Sequence, residues 1–356
     1  MSEFIKDLGG KVLGLGYNFE DDVLYVRVRE KLFREVKLKR QLLSWICQIY
    51  DPLGFVCPYV LKGRILMQKL NLQTEIDWND PVPEDTLKEF TKWKNKVNYL
   101  REYKIMRWTS KLGMEDSTSK LLIFCDASKD GYGIVAYLRR ELKGSPDQVG
   151  ILQMGDVFIS FMMAKSHVVP LDMLKNWDEG SEDHLGSIPK LELCAAKVAA
   201  IWRDNIVRES EEIYEEIILF SDSMTVLGWI RDWRRKFKTF ENFRLKRIRL
   251  LTFVSEWFYV PTKQNPADIC SKGLDANDEK KWRFFHEGPE FISTPQEEWP
   301  KEPIANGAED QQQQRIVKSI SSLVKFSPIE LIAVKGTNVS RSGGRGARTN
   351  PKSKRK

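Results

Sequence analysis

The chain has 356 residues, of which 42% are hydrophobic and eleven are tryptophan, so wholesale disorder is excluded and two domains with extensions are favoured. Five scattered cysteines without C-x-x-C spacing and three distant histidines argue against a disulfide framework and against a zinc site. No apolar stretch reaches membrane-span length and no signal peptide opens the chain, so we expect an intracellular protein, cytoplasmic or nuclear, with a net charge of +7.

Residues 1–115 predict a mostly helical unit that begins with a β-hairpin. Residues 11–29 alternate apolar and polar side chains on both sides of a polar turn, as hairpin strands do. The largely apolar stretch 41–71 predicts two helices separated by the turn DPLG, and a further amphipathic helix is predicted over 83–99. The small polar segment MEDSTSK, residues 114–120, predicts a linker to the next part of the chain.

Residues 119–275 predict a second domain in which strands give way to alternating helices and strands. The strands are short runs rich in β-branched and aromatic residues, predicted at 121–126, 132–140, 157–165, 216–221 and 256–261. The helices are predicted at 189–206, directly after Asp222, at 239–252, and from the sequence NPAD, with Asn265 as cap. Since the first three strands are consecutive, we expect them to pair antiparallel within a mixed α/β sheet.

The sequence beyond residue 275 keeps aromatic side chains but loses regular periodicity. We expect a C-terminal extension over 276–334 that contains one apolar segment at 321–334. Residues 335–356 carry basic side chains and no acidic ones, so they predict a disordered basic tail.

Four acidic residues stand where predicted strands end or predicted helices begin, and each has an ordinary structural interpretation. Asp126 suits a turn after its strand, and Asp222 suits a helix cap. Glu192 suits a solvated helix face, and Asp268 suits the positive end of a helix dipole. Glu192, however, shares its helix face with a stripe of alanines, which indicates close packing against a sheet.

The four acids are better explained together than singly. In an α/β sheet their positions converge on the edge where the strands end, which is where ligands bind. Four carboxylates without basic partners would repel one another and would lose hydration. Hard divalent cations relieve both costs, so the set predicts two ions of Mg²⁺ or Mn²⁺ and phosphodiester chemistry.

The acidic motifs resemble a known set. The order DAS (126–128), ELCAA (192–196), SDS (221–223) and NPAD (265–268) resembles the motifs of ribonuclease H. The longer sequences RQLLSWICQIYDPLGFVCP, IPKLELCAA and NPADICSKG resemble the Pao/BEL class of LTR retrotransposon polyproteins, and this resemblance covers roughly residues 10–300.

The resemblance implies both an architecture and an activity. It implies a ribonuclease H-like mixed sheet preceded by a polymerase thumb/connection-like region over 1–115. It implies that Asp126, Glu192, Asp222 and Asp268 are the catalytic and metal-binding residues. The RNA strand of an RNA/DNA hybrid would be hydrolysed to 3′-hydroxyl and 5′-phosphate ends, and the polymerase part of the polyprotein is an implied partner.

Two other catalytic motifs are rejected. The sequence FEDD at 19–22 fits the signature of a polymerase palm, but no third carboxylate in an apolar strand precedes it, so we interpret it as a turn. Aspartic proteases need an Asp-Thr/Ser-Gly triplet, and the chain contains none. Neither polymerase nor protease activity is therefore predicted.

A basic run at 231–249 is the predicted nucleic-acid-binding surface. It contains nine Lys and Arg residues against two acids, interleaved with aromatic side chains. The predicted phosphate-binding residues are Arg234, Arg235, Lys236, Lys238, Arg244, Lys246 and Arg247. The plain alternative is a solvated helix whose aromatic residues pack inward, and a second hypothesis for the whole chain is a catalytically inactive nucleic-acid-binding remnant.

Overall fold

The computed structural model describes residues 11–12, 15–28, 35–107, 117–143, 156–175 and 188–303. The predicted apolar segment at 321–334 and the basic tail at 335–356 lie outside these residues, as do residues 115–116 at the predicted boundary between the first two parts of the chain. The strands are β1 (Lys11–Val12), β2 (Leu15–Asn18), β3 (Val23–Tyr25), β4 (Lys104–Met106), β5 (Ser117–Ala127), β6 (Gly131–Leu142), β7 (Val157–Val168), β8 (Glu216–Ser221) and β9 (Trp257–Tyr259). The helices are α1 (Lys39–Ile46), α2 (Cys57–Leu72), α3 (Glu84–Lys94), α4 (Leu171–Lys175), α5 (Ile188–Glu209), α6 (Met224–Arg231), α7 (Thr239–Leu251), α8 (Ala267–Lys272) and α9 (Glu279–Glu287).

The predicted N-terminal hairpin is confirmed, and it belongs to a four-stranded antiparallel sheet in the order β1-β2-β3-β4. The sequence FEDD forms the turn between β2 and β3, where Asp22 adopts a φ of 51°. The β4 strand was not predicted, because it has three residues and pairs with β3 across about eighty positions of sequence.

The two predicted helices on either side of the DPLG turn correspond to α1 and α2. Asp51 in that turn accepts hydrogen bonds from the backbone amides of Phe55 (2.7 Å) and Val56 (2.9 Å), which orders the start of α2. Gly54 has a φ of 78°, and a Cβ there would lie 1.8 Å from the carbonyl oxygen of Ala164 in β7. The turn therefore needs glycine both for its backbone conformation and for its contact with the sheet.

The mixed sheet has five strands in the order β7-β6-β5-β8-β9. As predicted, β5, β6 and β7 pair antiparallel, while β8 and β9 run parallel to β5. The predicted linker at 114–120 is wrong in its second half, since 117–120 begin β5. Their polar sequence hid the strand: Ser117 and Ser119 are buried, and the Ser119 carbonyl accepts the backbone N–H of Glu215 at 2.8 Å.

Helices cover both faces of this sheet. One face packs against α5, α6 and α7, and the alanines of α5 are fully buried there. The other face shares a single hydrophobic core with the helices of the first hundred residues, with α8 and with α9. Helix α9 was not predicted, although its two buried side chains, Trp282 and Phe285, stand three residues apart as on one helix face.

Strand β7 forms one edge of the sheet, and the chain around the DPLG turn covers its second half. The backbone N–H of Ala164 donates to the carbonyl of Leu53 at 2.8 Å. The Arg64 guanidinium donates to the Ser166 carbonyl at 3.2 Å. The side-chain amide of Gln68 donates to the carbonyl of Val169, directly after the end of β7. The Ala164 N–H and the Ser166 carbonyl, both on the outer edge of β7, are thus bonded to the covering chain.

Candidate active site

The parallel pairing of β5 with β8 places two of the predicted acids side by side. Cys125 pairs with Ser221, so the next residue of each strand, Asp126 and Asp222, extends from the same edge of the sheet. Burial, and after it the charge of Asp222, raise the pKa of Asp126 to about 8.

Glu192 extends toward this pair from the first turns of α5. Its Oε2 atom accepts a hydrogen bond from the Ser223 hydroxyl at 2.6 Å. Burial raises the pKa of Glu192, the Ser223 hydrogen bond opposes that rise, and the charge of Asp222 adds to it. Ser223 is also the cap of α6, where its side chain accepts the Val226 N–H. The ordinary interpretation of Asp222 as the helix cap is therefore wrong.

Asp268 lies in the first turn of α8, as predicted, and forms an ion pair of 2.5 Å with Lys272 one turn later. That hydrogen bond raises the pKa of Lys272. Helix α8 also reaches the central pair directly, because the buried Ser271 hydroxyl donates to Asp126. The charge of Asp268 contributes to the raised pKa of Asp126, so three acids act on one another electrostatically.

Asn265 is a further site residue, and the sequence indicated it only as a helix cap. Its side chain is 1% exposed. Its Nδ2 atom donates to the carbonyl of Cys125 at 3.1 Å and to Oδ1 of Asp222 at 3.4 Å. Its Oδ1 atom accepts the Ala267 N–H at 3.1 Å, and α8 begins at Ala267, one residue later than predicted.

The donor set matches the chemistry of a hard divalent cation, although its side chains are not gathered around one. Within the residues that the structure describes, no three His, Cys, Asp or Glu side chains are arranged to hold a metal ion. Glu192 is bonded to Ser223 and Asp268 to Lys272. Burial and the charges of Asp222 and Asp268 raise the pKa of Asp126, and a bound divalent cation would relieve that repulsion, so these oxygen ligands fit Mg²⁺ or Mn²⁺.

The basic run forms the loop before α7 and α7 itself. Six of the seven predicted phosphate-binding residues are exposed, namely Arg234, Arg235, Lys236, Lys238, Lys246 and Arg247. Arg244 is half-buried instead: its guanidinium lies 3.3 Å from the ring centre of Phe240 and donates to the Cys194 thiol at 3.2 Å. Trp233 and Phe243 are 63% and 70% exposed, so only part of the aromatic set packs inward.

The comparison with known families decides what this chain is. A family model described as the Pao retrotransposon-like RNaseH-like domain matches residues 38–223, just over half of the chain. The chain belongs to this Pao retrotransposon family. The matched part of the Pao domain includes Asp126, Glu192 and Asp222 and ends before Asp268 and the basic run. No curated protein sequence matches the chain.

Several solved structures are similar to the Pao chain at low identity. A foamy viral protease-reverse transcriptase (dRH) in complex with double-stranded DNA has 13% identity and a TM-score of 0.41, covering 71% of this chain and 37% of that one. A second foamy viral protease-reverse transcriptase with DNA has 12% identity and a TM-score of 0.20, covering 71% and 44%. RNase H1 from the archaeon Halobacterium salinarum has 12% identity and a TM-score of 0.21, covering 42% and 90%. The Pao chain thus spans less than half the length of the viral proteins.

None of the helices in the described part of the chain combines the length and the apolar character that a membrane crossing requires.

Proposed function

We propose that this Pao-family chain is a metal-dependent endonuclease that hydrolyses the RNA strand of RNA/DNA hybrids during retrotransposon reverse transcription. The observation that carries the proposal is the placement of Asp126 and Asp222 side by side at the ends of two parallel strands. Membership in a family whose domain is described as RNaseH-like supports it. We further propose that residues 1–115 act as a polymerase thumb/connection-like region and that the polymerase part of the polyprotein is a partner.

Asp126, Glu192, Asp222 and Asp268 would hold two ions of Mg²⁺ or Mn²⁺. When bound, such ions supply Lewis-acid activation of the phosphodiester and of the attacking water. The chain itself forms a buried floor beneath the site, since Asp126 is 5% exposed and its neighbours in β5 are buried. Ser223 and Ser271 hold one oxygen each of Glu192 and Asp126 and leave the other oxygen of each carboxyl group available.

The exposed basic residues of the loop at 234–238 and of α7 would hold the phosphates of the hybrid. Each such contact releases counterions, so binding should weaken as the salt concentration rises. Selection of a hybrid would come from groove shape and from 2′-hydroxyl contacts, since side chains cannot read the deep, narrow major groove of an A-like duplex. The exposed rings of Trp233 and Phe243 lie among these charges.

The inactive nucleic-acid-binding remnant is the second candidate, and one observation favours it. Glu192 and Asp268 are bonded to Ser223 and Lys272 rather than gathered with the central pair. In a remnant these bonds would persist at any metal concentration. In an enzyme, Mg²⁺ or Mn²⁺ would compete with them for the carboxylate oxygens.

Substitution of Asp222 by Asn tests the proposal. Asn keeps the shape of the side chain and removes its charge, so we expect normal folding, retained hybrid binding and a loss of RNA cleavage of at least about a hundredfold. The assay uses labelled RNA annealed to DNA, with Mg²⁺, with Mn²⁺ and with EDTA. Asp85→Asn, the same change at an exposed position of α3, is the matched control and should cleave normally. A wild-type protein that binds the hybrid but cuts with neither metal would establish the remnant instead.

A further inference from the structure

The buried amide of Asn265 bridges the two strands that carry the central acids. Its Nδ2 group donates to the Cys125 carbonyl, one residue before Asp126 in β5, and to Oδ1 of Asp222 after β8. Both distances, 3.1 and 3.4 Å, are those of hydrogen bonds, and the side chain is 1% exposed. Bulk water therefore does not compete for this donor.

The other end of the same amide is bonded to the helix that carries the fourth acid. Oδ1 of Asn265 accepts the backbone N–H of Ala267, and the next residue of α8 is Asp268. A carbonyl can only accept and a backbone N–H can only donate, so these two partners fix which way the amide faces. One side chain thus joins the ends of β5 and β8 to the first turn of α8.

We infer that Asn265 is a positioning residue that holds the Asp222 carboxylate against Asp126 in the geometry that a divalent cation needs; this inference rests on the proposed function. Two neighbouring carboxylates repel each other when ionised, and a donor must hold them together. A lysine or arginine would do so by cancelling the charge that attracts the cation. The neutral amide of Asn265 holds the oxygen in place and leaves the charge of Asp222 intact.

Two substitutions separate positioning from plain structural support. Asn265→Ala removes both ends of the bridge. Asn265→Ser keeps an acceptor for the Ala267 N–H, since serine caps helices well, but its side chain is too short to reach Asp222. Gln264→Ala, at the exposed position next to it, is the matched control. Folding of each variant is measured first, by thermal unfolding in EDTA.

The informative measurement is the Mn²⁺ concentration that gives half of the maximal thermal stabilisation. We expect it to rise about tenfold or more in both Asn265 variants, as is usual when a residue that orients a metal ligand is lost, and to stay unchanged in the control. In hybrid cleavage we expect kcat to fall and KM for the hybrid to stay the same, because the basic surface is intact. A residue of merely structural importance would lower the melting temperature in EDTA without moving the Mn²⁺ midpoint.

Three results would overturn the inference. The first is an unchanged Mn²⁺ midpoint in both Asn265 variants, and the second is failure of both variants to fold. The third is a wild-type protein that neither cuts the hybrid nor responds to Mn²⁺, which would overturn the proposed function as well. A wild-type protein that responds to Mn²⁺ but does not cut would refute the proposed activity alone, and the midpoint shift would still decide the role of Asn265.

Discussion

His286 in α9 should make the stability of the protein sensitive to acid. Its Nε2 atom lies 2.8 Å from the carbonyl oxygen of Phe55. The neutral ring therefore donates a hydrogen bond to the backbone just before α2. Burial lowers the pKa of His286 to about 4, against an ordinary value of 6.5. We therefore propose His286→Gln, in which the side-chain amide places an N–H near the position of Nε2 but does not titrate.

The sign and the size follow from proton linkage. Between pH 6.5 and pH 4 the unfolded chain binds a proton at His286 that the folded protein does not bind, so the free energy of unfolding falls as the pH falls through this range. A difference of about 2.5 pH units corresponds to about 3.5 kcal/mol at about 1.4 kcal/mol per unit. Above pH 6.5 the group contributes no pH dependence.

The assay is urea unfolding of wild type and variant at half-unit steps from pH 7.5 to pH 4.5. The glutamine variant loses ring contacts with Trp282 and Phe161, so it should be less stable than wild type at pH 7.5. The gap should then narrow toward pH 4.5, since only the wild type loses the His286 contribution. A constant gap over the whole range would mean that His286 is not held neutral, and the reasoning from its burial would be wrong.

The remaining predictions concern two glycines and the basic surface. A Cβ at Gly133 would lie 2.2 Å from Cβ of Cys270, so Gly133→Ala should displace α8, lower the unfolding free energy by about 2 kcal/mol and abolish hybrid cleavage. Gly228→Ala in α6 meets no atom within 4 Å and should raise the unfolding free energy by about 0.5–1 kcal/mol with normal cleavage. Joint replacement of residues 234–236 by alanine should weaken hybrid binding and reduce its salt slope by roughly one per lost phosphate contact; an unchanged slope would identify a solvated surface instead.

Local patterns in the sequence were enough to predict most elements of the sheet. The predicted strand at 216–221 matches β8 residue for residue, because a buried parallel strand is a continuous apolar run bounded by polar residues. The start of β5 was missed for the opposite reason. Its serines are polar and suggest a linker, and only pairing with β6 and the chain before β8 makes them part of a strand.

The candidate site was predictable at the level of the chain but not at the level of side chains. The order of strands and helices along the chain predicts that β5 and β8 end at the same edge of the sheet. The proximity of Asp126 and Asp222 could therefore be expected. The orientation of Glu192 toward Ser223 depends on a rotamer and on a neighbour 31 residues away. Asn265 offered only the signal of a helix cap, since a cap and a bridge between strands require the same residue type.

The covered edge of β7 bears on how this protein behaves at high concentration. Open sheet edges allow strands of separate molecules to pair, which is a common start of aggregation. Here the turn and helix α2 occupy the second half of β7, and the opposite edge strand, β9, has three residues. Changes that loosen the DPLG turn, such as replacement of Gly54, should therefore promote self-association before they unfold the sheet, because they expose an edge while the strands remain intact.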